Sequence, residues 1–268
     1  MAGRLPRAKR SLGQNFLVDG NLQRKIVAAL GAVPVDRVVE IGPGPGALTD
    51  HLAGRVRDLI LVEVDTDLAE TLEHRYADRD DVRVWTENVL EVDLPKRVPD
   101  WPRAKVIGNI PYNITTPILF HLLERPRPAE ILLMVQREVA DRIVAPPGGD
   151  GYGALSVGVQ SVADAVMLFG VPRRAFRPSP NVDSAMLRIT PHDPPRLTPE
   201  EEQRLRRLTR AAFQWRRKQM QKTLRDHPDL RVPRPEVRRL GETVDLTRRP
   251  ETFSPDELLA LSGTLDRG

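Results

Sequence analysis

The sequence predicts an α/β fold in which a doubly wound, mostly parallel sheet is followed by a small all-helical domain. Short apolar, β-branched segments alternate with helical segments over residues 1–190, and polar residues fall at the ends of the apolar segments. After the proline-rich residues 190–197, the composition becomes helical and basic. We therefore expect a large domain over residues 1–190 and a helical domain over residues 191–268.

Composition excludes several classes of protein. The 268 residues contain no cysteine, which rules out disulfides and cysteine zinc sites. No apolar run approaches the roughly 20 residues of a membrane span. The basic N-terminal residues are not followed by an apolar segment, so no secretory signal is expected. These features favour a cytoplasmic protein with no membrane partner.

The first strand, at residues 37–41, runs directly into Gly42, Gly44 and Gly46. Glycine lets the backbone adopt positive φ and approach a ligand closely. The G-x-G-x-G spacing differs from the G-x-G-x-x-G of dinucleotide enzymes. Glu40, at the strand's end, would repel a pyrophosphate. The pattern favours a ligand with a positive centre, and S-adenosylmethionine, a sulfonium, fits that description. A simple strand–turn–helix connection is the alternative.

The next two predicted strands also end in polar residues. The strand at residues 59–65 contains Glu63, about 20 residues beyond the glycines, where Rossmann-like folds place the acid that binds ribose hydroxyls. The strand at residues 82–85 leads to Asn88, whose oxygen can accept from an adenine amino group. We expect both side chains to face one crevice.

The fourth strand ends in Asn109-Ile110-Pro111-Tyr112. Proline removes a backbone donor and fixes φ, so the strand stops there. The amide of Asn109 and the ring of Tyr112 would then lie at the carboxyl edge of the sheet, where ligands bind. An asparagine oxygen can accept from an exocyclic amino group, and a tyrosine ring can stack on a base. The pattern favours methyl transfer to an amino nitrogen, and a plain strand–turn is the alternative.

The remaining elements complete the sheet and lead into the linker. We expect helices at residues 21–30 and 136–144, a strand at residues 130–135, a loop at residues 145–153, and a closing pair of strands at residues 165–171 and 184–189. Phe176 lies among arginines between those two strands. It is predicted to be a platform for a base removed from its RNA stack. A core anchor is the alternative.

The C-terminal domain is predicted from two helix starts. Thr198 and Ser254 each begin a capping box with proline at the first helical position. One face of the first helix is apolar, with Leu205, Leu208, Ala212 and Trp215, and the opposite face is basic, with Arg207, Arg210, Arg217, Lys218 and Arg225.

Basic charge is concentrated in this part of the chain. Residues 196–239 contain 14 basic and 6 acidic residues, whereas the rest of the chain contains 27 basic and 31 acidic residues. We expect a surface that tracks the phosphates of a nucleic acid. A solvated helix face, or an arginine bias of codon origin, is the alternative.

These motifs together resemble the ribosomal RNA adenine dimethyltransferase family, over residues 9–260 and in the family's order. They are Gln14-Asn15-Phe16-Leu17, Glu40-Ile41-Gly42-Pro43-Gly44, Glu63, Asn109-Ile110-Pro111-Tyr112, Phe176-Arg177-Pro178-Ser179-Pro180-Asn181-Val182-Asp183-Ser184-Ala185, Gln214-Trp215-Arg216-Arg217-Lys218 and Arg249-Pro250-Glu251-Thr252. The C-terminal motifs resemble the bacterial small-subunit branch more than the antibiotic-resistance branch that modifies large-subunit RNA.

The resemblance implies a class I methyltransferase domain and a specific reaction. It implies dimethylation of two adjacent adenosines near the 3′ end of 16S rRNA, in an immature small ribosomal subunit, by a monomer that needs no metal. It also implies S-adenosylmethionine contacts at Asn15, Leu17, Gly42, Glu63, Asn88 and Asn109. The family usually has aspartate where this chain has Asn88, so this contact lacks a charge.

Three other functions compete with this one. An adenine methyltransferase acting on DNA or 23S rRNA would share the Asn109-Ile110-Pro111-Tyr112 chemistry, although a DNA enzyme more often has a target-recognition domain. A non-enzymatic ribosome assembly factor could keep the RNA surface, but the intact Gly42, Glu63 and Asn109 argue against it. The glycine spacing argues against a nicotinamide dehydrogenase.

Overall fold

The computed structural model describes residues 6–263, apart from the side chain of residue 10. The strands are β1 (Phe16–Leu17), β2 (Arg37–Ile41), β3 (Asp58–Glu63), β4 (Val82–Thr86), β5 (Lys105–Asn109), β6 (Glu130–Gln136), β7 (Ala163–Val171), β8 (Phe176–Arg177) and β9 (Ser184–Pro191). The helices are α1 (Gly20–Leu30), α2 (Thr49–Leu52), α3 (Thr66–Arg75), α4 (Leu94–Arg97), α5 (Thr115–Leu122), α6 (Arg137–Val144), α7 (Ala154–Gln160), α8 (Pro199–Gln214), α9 (Met220–Asp226), α10 (Arg234–Leu240) and α11 (Pro255–Ser262).

The chain divides into two compact units. Among the described residues, the first contains residues 6–140 and Val166–Pro191, and the second contains Asp141–Ala165 and residues 192–263. The predicted boundary, at residues 190 and 191, differs from this division because it places the segment Asp141–Ala165 in the first domain. This segment contacts the C-terminal helices because the hydroxyl of Tyr152 donates to the carbonyl of Phe253 at 2.9 Å, while the N–H of Gly148 donates to the carbonyl of Glu251 at 2.7 Å.

The main sheet confirms the predicted doubly wound topology. Within the described residues its strand order is β4-β3-β2-β5-β6-β9-β7. The strands β2 to β6 pair in parallel, and β9 is antiparallel to β6. The order of the parallel strands reverses between β2 and β5. Ligands bind at such a reversal, outside the carboxyl ends of the strands.

The apolar residues of these strands explain why they form the centre of the first unit. Val38, Val39, Val106 and Ile107 are each fully buried, as expected for a parallel sheet covered on both faces. The β-branched side chains also favour the extended backbone. The sheet therefore forms a rigid support for the polar side chains at its carboxyl edge.

In the second unit, helix α8 begins as predicted and ends earlier than predicted. The hydroxyl of Thr198 accepts from the N–H of Glu201 at 3.2 Å, and the carboxylate of Glu201 accepts from the N–H of Thr198 at 2.7 Å. The helix ends at Gln214 because Trp215 leaves the helical conformation and its carbonyl accepts from the N–H of Lys218 at 2.7 Å.

The early end of α8 corrects the predicted basic helix face. Arg207 and Arg210 lie on α8, whereas Arg217 and Lys218 follow it in a turn and Arg225 lies on α9.

Among the described residues, we find no helix whose length and apolar character suffice to cross a membrane.

Candidate cofactor and active site

A cavity lies at the carboxyl ends of β2, β3 and β5. Its volume is about 910 Å³ when the solvent-filled space at its opening is included. The structure brings together here all the residues predicted to contact the cofactor or the reacting base, except for Phe176: Asn15, Leu17, Gly42, Glu63, Asn88, Asn109, Pro111 and Tyr112. Their contacts with ligands stay a prediction.

The glycine turn after β2 forms one side of the cavity. Gly44 has a φ of 58°, which favours glycine, and an added Cβ would lie 3.4 Å from the ring of Phe16. The N–H of Gly44 donates to the carboxylate of Glu63 at 2.9 Å. The turn and the acid at the end of β3 therefore fix each other.

Glu63 is buried beside this turn. Its second carboxylate oxygen accepts from the N–H of Asp65 at 3.0 Å. Burial raises the pKa of Glu63, while the hydrogen bonds from the N–H groups of Asp65 and Gly44 oppose that rise. Each carboxylate oxygen has a further lone pair, so the group can still accept from two neighbouring hydroxyls.

Glu40 is also buried and lines the same cavity. The hydroxyl of Thr49 donates to its carboxylate at 2.7 Å. Burial raises the pKa of Glu40 to about 8, against the hydrogen bond from Thr49 and with help from the nearby charges of Glu63 and Asp50. A positively charged ligand next to Glu40 would favour its ionised form.

The amide of Asn109 is held by the segment that precedes β1. Its nitrogen donates to the backbone carbonyl of Asn15 at 3.1 Å. The nitrogen of the Asn15 side chain in turn donates to the carbonyl of Gly13 at 3.1 Å. Among the described residues no group donates to the side-chain oxygen of Asn109, which leaves that oxygen as an acceptor for a ligand.

The ring of Tyr112 is fixed through its hydroxyl, which shares a hydrogen bond of 2.5 Å with the buried hydroxyl of Ser184. Burial raises the pKa of Tyr112, so the phenol stays neutral at physiological pH. The carbonyl of Pro111 accepts from the N–H of Ile114 at 3.2 Å and from the hydroxyl of Thr115 at 3.4 Å. Its use as an acceptor for an amino hydrogen stays a prediction.

Asn88 lines the cavity and caps a short 3₁₀ helix. Its side-chain oxygen accepts from the N–H of Leu90 at 3.2 Å, and its nitrogen donates to the carboxylate of Glu91 at 2.9 Å. Both contacts fix which end of the amide is oxygen. That oxygen has a second lone pair, which is available to an adenine amino group.

The structure does not support the predicted base platform at Phe176. The ring is fully buried and belongs to the hydrophobic core that includes Leu17 and Met186. Pairing of β8 with β1 places Phe176 opposite Leu17, which directs the ring into that core. A ring with no exposed surface offers no face to a base in this structure, which favours the alternative of a core anchor.

The predicted RNA-binding residues of the second unit fall into two groups. Arg207 donates from two guanidinium nitrogens to the carbonyl of Asp229, one of them at 2.8 Å, and so holds a backbone turn. Arg210, Arg217 and Lys218 are exposed, and the described residues provide them with no ion pair. These three cations are available to phosphates, and RNA binding by the set stays a prediction.

Sequence reasoning missed two residues that support the site. Ser184 belongs to one of the family motifs, but its contact with Tyr112 joins positions far apart in the sequence. The predicted strand at residues 59–65 includes Asp65, although β3 ends at Glu63. The signal for Asp65 was its position two residues after the predicted ribose acid.

Comparisons with known proteins agree with this geometry. A family model described as "Ribosomal RNA adenine dimethylase" matches residues 6–236. A protein of Moorella thermoacetica, named ribosomal RNA small subunit methyltransferase A, is 43% identical, over 98% of this chain and 93% of its own length. A protein of Geobacillus thermodenitrificans with the same name is 38% identical, over 96% of this chain and 90% of its own length.

Solved structures show the same fold. The crystal structure of the 23S rRNA methyltransferase ErmE has a TM-score of 0.71 and 28% identity, covering 94% of this chain and 100% of that one. A dimethyladenosine transferase from Plasmodium falciparum has a TM-score of 0.78 and 23% identity, covering 93% of this chain and 98% of that one, and shows the fold alone. The chain belongs to the ribosomal RNA adenine dimethylase family.

Proposed function

We propose that this protein uses S-adenosylmethionine to dimethylate the exocyclic amino groups of two adjacent adenosines near the 3′ end of 16S rRNA. The observation on which this depends most is the amide of Asn109, held by the carbonyl of Asn15 beside the cavity that contains Glu63. Membership of the family and relatives named for the small ribosomal subunit support the choice of RNA.

The residues that line the cavity fit this cofactor. Glu63 would accept from the ribose hydroxyls, and the fixed oxygen of Asn88 would accept from the adenine amino group. Glu40 would lie near the positive charge, and the turn at Gly42 would let the backbone approach the amino-acid part. When bound, S-adenosylmethionine supplies a methyl group that is activated by its attachment to a sulfonium.

The side chains of this protein would orient and activate the adenine. Its amino lone pair is delocalised into the ring, which makes the amine a poor nucleophile. The Asn109 oxygen and the Pro111 carbonyl would accept the two amino hydrogens and so localise the lone pair. Tyr112 would stack on the base, and positioning of this kind supplies a large part of a rate enhancement. No strong base is required, because the proton becomes acidic once the methyl is transferred.

We further propose that the substrate is 16S rRNA within an immature small subunit, that the protein acts as a monomer, and that it works in the cytoplasm. Incorporation of labelled methyl groups into immature subunits, bare 16S rRNA, 23S rRNA and DNA tests this choice. We expect the highest rate with the subunits. Equal or faster labelling of 23S rRNA or DNA would refute the proposed substrate, and a protein that binds subunits without methylating them would be an assembly factor.

Replacing Glu63 with alanine should weaken S-adenosylmethionine binding by roughly 1.5–3 kcal/mol, the scale of a hydrogen bond to a charged group. The change removes the proposed acceptor for the ribose and also frees the N–H of Gly44. Calorimetry would measure the affinity. Replacing the exposed Glu70 with alanine is the matched control and should leave the affinity unchanged. An unchanged affinity in the Glu63 variant would reject its assignment to the cofactor.

Replacing Arg210, Arg217 and Lys218 together with glutamine should weaken RNA binding and flatten its salt dependence. Each phosphate contact releases counterions when RNA binds. Loss of one contact therefore reduces the magnitude of the slope of log K against log salt by about 0.7–0.9. Filter binding at several salt concentrations would measure the slope. The control removes the same charge from the first unit, at the exposed cations Arg57, Lys96 and Arg103. If both triple variants have the same slope, the three cations of the second unit do not contact phosphate.

A further inference from the structure

Residues 12–17 form one wall of the cofactor cavity. Their C-terminal end is attached by strand pairing, since β1 places Phe16 opposite Arg177 and Leu17 opposite Phe176. The residues before β1 lie outside this pairing and include Asn15, whose carbonyl holds the amide of Asn109. The position of this wall therefore depends on how residues 9–15 are held.

Asp65 receives hydrogen bonds from two side chains of this segment. The amide nitrogen of Gln14 donates to one carboxylate oxygen at 2.7 Å, and the ammonium of Lys9 donates to the other at 2.6 Å. The backbone N–H of Lys9 donates to the side-chain oxygen of Gln14 at 2.7 Å. We call Lys9, Gln14 and Asp65 the latch.

Asp65 is itself firmly placed. Its side chain is 2% exposed and caps α3 by accepting from the N–H of Asp67 at 3.2 Å. Its own N–H donates to the carboxylate of Glu63 at 3.0 Å. Burial opposes ionisation of Asp65, but the hydrogen bonds from Lys9 and Gln14 lower its pKa below the ordinary value of 3.8. A charged, immobile acceptor thus faces the segment at neutral pH.

We propose that Asp65 is a positioning residue of the methyl-transfer site, because the latch fixes the Asn15 carbonyl that orients the amide of Asn109. This inference rests on the proposed function in assigning chemistry to Asn109. The same carboxylate holds the cavity wall that contains Asn15 and Leu17, so loss of the latch weakens cofactor binding and slows methyl transfer together.

A swap of hydrogen-bonding groups tests the latch. Gln14→Glu places a second carboxylate against Asp65, and Asp65→Asn places an amide N–H against the amide N–H of Gln14. The double variant pairs a carboxylate with an amide again, in reversed order, and the introduced carboxylate can still accept from the N–H of Lys9. Three quantities are measured: hydrogen–deuterium exchange of residues 9–17 in the protein alone, the Kd for S-adenosylmethionine, and the single-turnover rate.

We expect each single variant to exchange faster over residues 9–17, to raise the Kd about tenfold and to slow methyl transfer about tenfold, as for loss of one hydrogen bond to a charged group. The double variant should recover all three to within about threefold of the parent. Asp67→Asn is the matched control. That side chain is 77% exposed, its ion pair with Lys9 is a surface pair, and the variant should match the parent.

Two outcomes would overturn the latch. If Gln14→Glu exchanges and binds like the parent, Asp65 serves only to cap α3. If the double variant is no better than the worse single variant, the pairing of Gln14 with Asp65 does not position the wall. Exchange and cofactor binding need no RNA, so these results are read independently. A parent that binds the cofactor but methylates no RNA would refute the proposed function and leave the result for the latch intact.

Discussion

Replacing Asn109 with alanine is expected to slow methyl transfer by roughly 100- to 1000-fold, or about 2.7–4 kcal/mol, as for loss of a hydrogen-bonding group that acts in the transition state. The change removes the oxygen proposed to orient the adenine amine, and that contact strengthens as positive charge develops on the nitrogen. Single-turnover transfer at saturating cofactor and RNA measures the rate. RNA binding should persist, because the exposed cations of the second unit are untouched.

Asn113 provides a matched control for this variant. It is an exposed asparagine four residues later, and it does not line the cavity. Asn113→Ala makes the same chemical change and should transfer methyl groups at the parent's rate. If Asn109→Ala also keeps the parent's rate, the residues that end β5 form only a strand end, and the catalytic assignment is wrong.

Replacing Glu40 with glutamine is expected to stabilise the folded protein at high pH. The folded-state pKa of about 8 lies above the ordinary 4.5, so the native protein keeps this proton while the unfolded chain releases it. Glu40 therefore destabilises the fold increasingly as pH rises from about 4.5 to about 8, and the cost is constant above that range. One pKa unit corresponds to about 1.4 kcal/mol, so the glutamine variant should gain a few kcal/mol near pH 8.5.

Urea unfolding at about pH 5, 7 and 8.5 measures this difference. The gain should be smallest at the lowest pH, because pH 5 is close to the ordinary pKa of 4.5 and part of the unfolded chain is protonated at Glu40, as the folded protein is. The same variant should bind S-adenosylmethionine more weakly, because the cavity loses the carboxylate that would face the positive charge. A gain in stability that does not depend on pH would show that Glu40 is not the titrating group.

The sequence predicted the elements whose causes are local. The strand at Arg37–Ile41 follows from its β-branched residues, and the start of α8 follows from the capping box at Thr198. The site residues at strand ends were also predictable, because parallel strands bring their carboxyl ends to one edge of the sheet. Residues as distant in sequence as Gly42 and Asn109 therefore line one cavity, as expected from the motifs.

The features that sequence reasoning missed depend on long-range contacts. Phe176 lies among arginines in the sequence, yet its pairing with Leu17 buries it. The contact of Gln14 with Asp65 spans 51 residues, and no local pattern indicates it. The segment Asp141–Ala165 contains α7, and its place in the second unit rests on contacts such as that between Tyr152 and Phe253, 101 residues apart.

Mass spectrometry of 16S rRNA tests the central claim most directly. Immature small subunits from cells that lack the gene would be incubated with S-adenosylmethionine and either the purified protein or its Asn109→Ala variant. We predict that the parent converts two adjacent adenosines near the 3′ end of 16S rRNA to dimethyladenosine, while the variant leaves them almost unmodified over the same time. Absence of dimethyladenosine at these positions with the parent protein, or its appearance at other sites, would contradict the account.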